Sequence, residues 1–271
     1  MMDTVALMLA SFCAWTVLYG LCCALQPSLP HTWHIRVVTV VHALIIVTLS
    51  AWCLLVQGPW VFTDPGGPNT SLQHLTVIIC LTYFLFDFFW CLYFRTEGPF
   101  MLFHHMLSLA GNSLTLYYGK YGTELVATIF GTEITNPFLQ LRWFLRQTGH
   151  GSKWYAELND FFFMFLFGSV RIVLGGYLLY CYLGHPVPDW LGRVGGVSMY
   201  MVSWVFWLMI LKYAVKKYSK MFKLDKNRTK RGCATADQNG VVVVNNGHPK
   251  SSKDTVTSSI QDVINGHAKS S

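Results

Sequence analysis

Three observations predict an all-α fold, a polytopic membrane helical bundle of about seven transmembrane helices. Of the 271 residues, 53% are hydrophobic and only 12% charged, where a soluble domain carries about 25% charged residues. Seven apolar runs approach the roughly 20 residues that a helix needs to cross a core of about 30 Å. The charge is also divided along the chain: residues 1–211 hold 8 Lys or Arg against 9 Asp or Glu, and residues 212–271 hold 12 against 4.

Taken in order, the predicted spans are 4–26, 35–57, 75–94, 99–118, 122–141, 161–183 and 191–211. The first lacks the basic leader and small-residue cleavage pattern of a signal peptide, so residues 1–32 read as a retained transmembrane anchor and loop. Residues 33–217 form the expected six-helix core, and 218–271 a basic, disordered cytosolic tail, rich in Gly, Asn, Ser and Lys. The lysines and arginines directly after the last span belong in the cytosol by the positive-inside rule and suit anionic lipid headgroups, so nucleic acid is not an expected partner. Counting back from that tail puts the amino terminus and the 58–74 loop on the lumenal or outer side. That loop lacks Lys and Arg and carries Asn69-Thr70-Ser71, a glycosylation acceptor at Asn69. A six-span alternative, with 122–141 re-entrant, would invert that loop.

Ionisable and amide side chains fall inside these apolar runs at nearly one depth: His42, Asp87, the His104-His105 pair, Glu133 and Asn136. A charge in hydrocarbon costs roughly 2.5 to 3.5 kcal/mol on insertion scales, so such groups are expected to face a shared interior near the cytosolic side. Arg171 comes out nearer the midplane as their counter-charge. Asp87 is placed to orient one histidine of the pair while the other acts as general base; a purely structural hydrogen-bonded network is the competing reading. Pro137 removes a backbone donor and frees the Glu133 carbonyl, with Glu133, Asn136 and Gln140 on one helix face. Together His42, Glu133, Asn136 and Arg171 are the expected cavity wall, and Arg142 and Arg146 the expected headgroup anchors.

No metal is expected, because His42, Asp87, His104, His105 and Glu133 lack the HxxxH or HxxHH spacing of membrane di-iron enzymes. Phosphate-loop, GxSxG and CxxC motifs are likewise missing from the sequence. A transporter is disfavoured, since the last span carries no ionisable side chain in its central stretch and no inverted repeat of broken helices is visible.

The Asp in FLFDFFWCLYF, the histidine pair in MLFHHMLSLAG and the block GTEITNPFLQLRWFLRQTGH together resemble the TLC domain family, over about 33–217. The resemblance implies a helical bundle enclosing a lipid-accessible cavity, an endoplasmic reticulum membrane more than a plasma membrane, and a part in lipid homeostasis by binding, sensing or modifying lipids. It implies as an alternative an acyltransferase drawing acyl-coenzyme A as cosubstrate, with His104-His105 in the role of the ceramide synthase pair. No other cofactor is expected. Ceramide synthases follow their pair with a further His-Asp and acidic cluster, where this chain has GTEITNPFLQ.

Overall fold

The computed structural model describes the backbone of residues 4–238 and the side chains of residues 4–219. Its elements are α1 (Thr4–Leu25), α2 (His31–Gln57), α3 (Ser71–Phe94), α4 (Pro99–Tyr118), α5 (Gly122–Glu133), α6 (Asn136–Gln147), α7 (Trp154–Gly184) and α8 (Trp190–Gln238). Helices α1, α2, α3, α7 and the Trp190–Ser219 part of α8 are long and apolar enough to cross a membrane. Of the other two expected spans, α4 is one unbroken helix outside that set, and the α5–α6 rod is interrupted rather than kinked. Ile134 and Thr135 keep right-handed helical dihedrals between α5 and α6, and Pro137 lies in the first turn of α6. A proline there gives up only a donor that a helix start leaves unused, so it begins a new helix.

Two compact units divide the chain, Met1–Val205 and Phe206–Ser271. The first holds the bundle. In the second, α8 runs on to Gln238, past the expected limit of order at 217; the added stretch holds four Lys and two Arg, good helix formers. The rest of the expected tail, 239–271, lies outside the described residues.

Helix α3 is the central rod: 56% of its apolar stretch is buried, against 6% for α1. Trp15, Ile35, Val38, Tyr83, Phe86 and Trp90 join α1, α2 and α3 in one apolar cluster, and Ile46, Cys80 and Ile129 bring in α5. Helices α1 and α3 run parallel, since Thr4 meets His74 and Ser11 Oγ meets Thr82 Oγ1 at 2.7 Å. The α5–α6 rod runs antiparallel to α2, with Val126 beside Cys53 and Gln140 beside Arg36. Large apolar side chains such as Leu9, Val17, Leu44, Phe103, Phe161 and Val173 stay exposed on the outer faces, which is where lipid would cover them.

The 58–70 loop is a fitted part of the fold. Thr70 caps α3 in a reciprocal capping box with Gln73. Asn69 is tied at both ends of its amide, donating from Nδ2 to Thr115 O at 3.0 Å and accepting at Oδ1 from Gly122 N at 2.8 Å. That approach requires glycine, because a Cβ at 122 would stand 2.6 Å from Asn69 Oδ1 and 2.8 Å from Gln73 Oε1. Gly122→Ala is therefore expected to lower unfolding stability by about 1–3 kcal/mol, read as a lower melting temperature of the purified chain.

Arg142, expected at the headgroups, is instead buried, its Nε 3.4 Å from Asp160 Oδ1 of α7. The pair fixes α6 to α7, with Asn159 Nδ2 donating to Phe138 O at 2.9 Å alongside.

Candidate functional site

Of the six polar residues expected at one depth, the structure pairs four in two couples, with Asn136 joined to the second. In the first, His105 of α4 faces Asp87 of α3, Nε2 to Oδ2 at 2.8 Å, while its Nδ1 lies 2.9 Å from Met101 O. A carbonyl only accepts, so Nδ1 must carry a proton. If the carboxylate is ionised, Nε2 must donate too. The couple therefore holds one shared proton between Nε2 and Oδ2, whichever atom carries it, and His105 has no lone pair left over for a substrate. The base expected of the pair falls to His104, on a different face of α4.

In the second couple His42, fully buried, holds Nδ1 3.8 Å from Glu133 Oε2, an ion-pair distance longer than a hydrogen bond. Its ring stacks on Tyr83, centroids 3.6 Å apart and planes 10° apart, and meets Trp15 edge-on. From Glu133 a chain of bonds follows the predicted face of α6: Asn136 Nδ2 donates to Glu133 Oε2 at 3.0 Å, Gln140 Nε2 to Asn136 Oδ1 at 2.9 Å, and Arg36 Nη1 to Gln140 Oε1 at 2.8 Å. The Arg36 guanidinium also lies over the Trp143 ring, 4.5 Å from its centroid.

Phe84 stands between the couples, its ring centroid 6.1 Å from that of His42, 6.5 Å from His104 and 5.9 Å from His105. The single shared chamber expected from sequence is thus divided by an aromatic ring. Arg171 is directed at the break in the rod, where Nη2 donates to Thr132 O, a carbonyl one residue before the one that Pro137 was expected to free. Its charge reaches Glu133 and its guanidinium covers the Phe167 ring.

Beside this layer lies a cavity of about 450 Å³ enclosed by α2, the 60–62 loop, α4, α5, α7 and the first part of α8. Its walls are apolar, from Leu54, Leu114, Phe130, Leu174 and Leu178 among others. Arg171 and Thr132 line one end, and Glu124 and Tyr121 the other. Glu124 and Thr132 are two turns apart on α5, so the polar ends are separated by roughly 12 Å. Of the expected wall, Arg171 alone lines this cavity; His42, Glu133, Asn136, Asp87 and both histidines of the pair do not. Leu107, within a turn of the pair, lines the cavity as well. Glu124, unmarked in the sequence reading, accepts from Gly66 N at 3.0 Å and so ties the cavity's end to the 58–70 loop.

At the cavity's Glu124 end, Asp189 before α8 accepts from Lys120 Nζ at 2.7 Å, from Tyr121 Oη at 2.5 Å and from Gly192 N at 3.0 Å. Lys120, then Tyr121 and the Gly192 amide, hold the Asp189 carboxyl well below the usual carboxylate range. A depressed carboxyl adds stability above the unfolded value of roughly 3.9 and loses it as pH falls through the folded one. The melting-temperature gap between wild type and Asp189→Asn is expected to hold steady from neutral pH to about 5 and to narrow below about 4.

Two long-range features, the histidine–aspartate couple between adjacent spans and the broken rod carrying Glu133 and Pro137, sit in a bundle of apolar helices. Residues 32–215 match the TLC domain, and the chain belongs to that family of multi-pass membrane proteins. It is similar to TLC domain-containing protein 4 A of Dictyostelium discoideum, 25% identical over 143 residues that cover 51% of this chain and 55% of that protein. The match thus spans about half the length of that relative.

Proposed function

We propose that this protein acts in membrane lipid homeostasis by binding, sensing or modifying a lipid held in the cavity between Glu124 and Arg171. The observation that carries the reading is a largely apolar, helix-lined volume inside the usual range for ligand sites, about 300–1,000 Å³, whose charged lining side chains, Glu124 and Arg171, stand toward opposite ends. An acyl chain suits the middle; a charged or hydrogen-bonding group suits Arg171 or Glu124. Within the family the quoted sequence blocks read most like those of TLC domain-containing protein 5, and we place the chain near that branch. The proposal includes an endoplasmic reticulum membrane, a lumenal amino terminus and a cytosolic basic tail against anionic headgroups; Asn69, whose Nδ2 is held by Thr115 O, is not offered as a glycan site.

Gly111 tests it, because it lines the cavity and a Cβ there meets nothing within 4 Å. Gly111→Phe should fill the volume and remove most of the lipid that co-purifies with the full chain, as measured by mass spectrometry, at near wild-type melting temperature. Undiminished lipid in a folded variant rejects the cavity as the binding site.

A second reading is favoured by the Asp87–His105 contact: an acyl-coenzyme A-dependent acyltransferase in which His104 is the general base and the couple beside it fixes the helix that presents it. His104→Ala would then abolish product while leaving bound lipid in place.

A further inference from the structure

We propose that Asp87, Cys91 and His105 form a thiolate-containing site for a divalent transition metal of the zinc class, distinct from the lipid cavity. Asp87 and Cys91 are one turn apart on α3 and share its face toward α4. One ligand atom from each of the three residues lies within 4.8 Å of the others. Ligands at about 2.0–2.3 Å from a tetrahedral ion stand roughly 3.3–3.8 Å apart, so modest side-chain adjustment closes the set.

The second shell is already in place. A metal-bound imidazole commonly donates its other N–H to a carbonyl, which fixes the tautomer, and His105 Nδ1 meets Met101 O at 2.9 Å. That bond leaves Nε2 opposite a carboxylate oxygen at 2.8 Å, two acceptors that need a cation between them. A proton fills that need in the metal-free couple. A metal ion would replace it, and the thiol of Cys91 supplies the soft ligand that selects zinc, cobalt or copper over magnesium or calcium.

The charge balance favours the exchange. Without metal, the couple carries one shared proton and Cys91 its thiol proton, so the three groups are neutral together. Binding one divalent ion releases both protons and leaves two anionic ligands and a neutral imidazole around it, neutral again. A buried site gains an ion without gaining net charge, which limits the desolvation cost. Cys91 is 5% and His105 6% exposed. A second carboxylate, Glu97 in the α3–α4 turn, interacts electrostatically with Asp87 and His105, and its Oε2 is buried with no hydrogen-bond partner among the described residues. Three protein ligands and an open fourth position are the pattern of a reactive rather than a purely structural zinc site. Asp87 and His105 belong to the set whose spacing argued against a metal; Cys91 does not, because the one-turn Asp–Cys spacing acquires meaning only once α4 delivers His105.

Cobalt(II) is the probe. The purified full chain, stripped with chelator and titrated with cobalt, is expected to take up one equivalent with a sulfur-to-cobalt charge-transfer band in the near ultraviolet and to release two protons. Cys91→Ser should lose the band at unchanged melting temperature, and Cys13→Ser should keep it. If Cys91→Ser does not fold, His105→Asn serves as the second variant, with the charge-transfer band expected to weaken or shift. Wild type that takes up no cobalt, or takes it up without a thiolate band, overturns the assignment. Lipid co-purification is read on the same samples, so failure here leaves the cavity proposal separately testable.

Discussion

Arg171→Leu is expected to lower unfolding stability by about 2–3 kcal/mol, the cost of leaving the buried Thr132 carbonyl without its charged donor. Arg171 serves the broken rod twice, by donating to Thr132 O and by placing its charge within reach of Glu133. Leucine keeps the volume and removes both. Glu133 then sits 6% exposed, with Asn136 donating to Oε2 and His42 Nδ1 3.8 Å from the same oxygen. The double variant Arg171→Leu/Glu133→Gln should recover whatever part of the loss comes from the Glu133 charge. Thermal unfolding in one detergent compares all three proteins. A double variant no more stable than Arg171→Leu would mean that Glu133 is neutral in the folded chain.

The second large effect concerns the α3–α4 couple. His105→Leu alone removes the 2.8 Å partner of the Asp87 carboxylate and is expected to cost about 3 kcal/mol or more, whereas Asp87→Leu/His105→Leu should lie much closer to wild type, since well-filled apolar replacements of buried pairs are often neutral. The non-additivity of the two single changes measures the coupling. Additive losses would show that the 2.8 Å contact contributes little.

Much of this architecture could be read from residues. Apolar length placed α1, α2, α3, α7 and α8, and helical spacing put Glu133, Asn136 and Gln140 on one face, where the structure links them in series down to Arg36. Estimated depth set Asp87 level with the histidine pair, but which of the two imidazoles it meets, His105, is visible only in the structure. Other features left no such trace. The cavity wall could not be seen, because Leu114, Phe130 and Leu178 have the chemistry of residues that face lipid, and periodicity does not separate an apolar void from hydrocarbon. The division by Phe84 depends on a ring orientation set by three helices, and Arg142 looked like an anchor until Asp160 arrived from α7.

Midway along α7, residues Phe167–Leu174 follow a wider turn than the helix on either side. Such a segment amounts to one residue more than a regular helix would use. Everything beyond it is therefore out of phase with everything before it by roughly 100°. Leu178, Leu179 and Tyr182 look into the cavity because of that offset. Shortening the segment by one residue would leave a perfectly good membrane rod that presents the wrong side of its second half to its neighbours. Heptad-style reading of α7 from Trp154 onward would make the same mistake on paper.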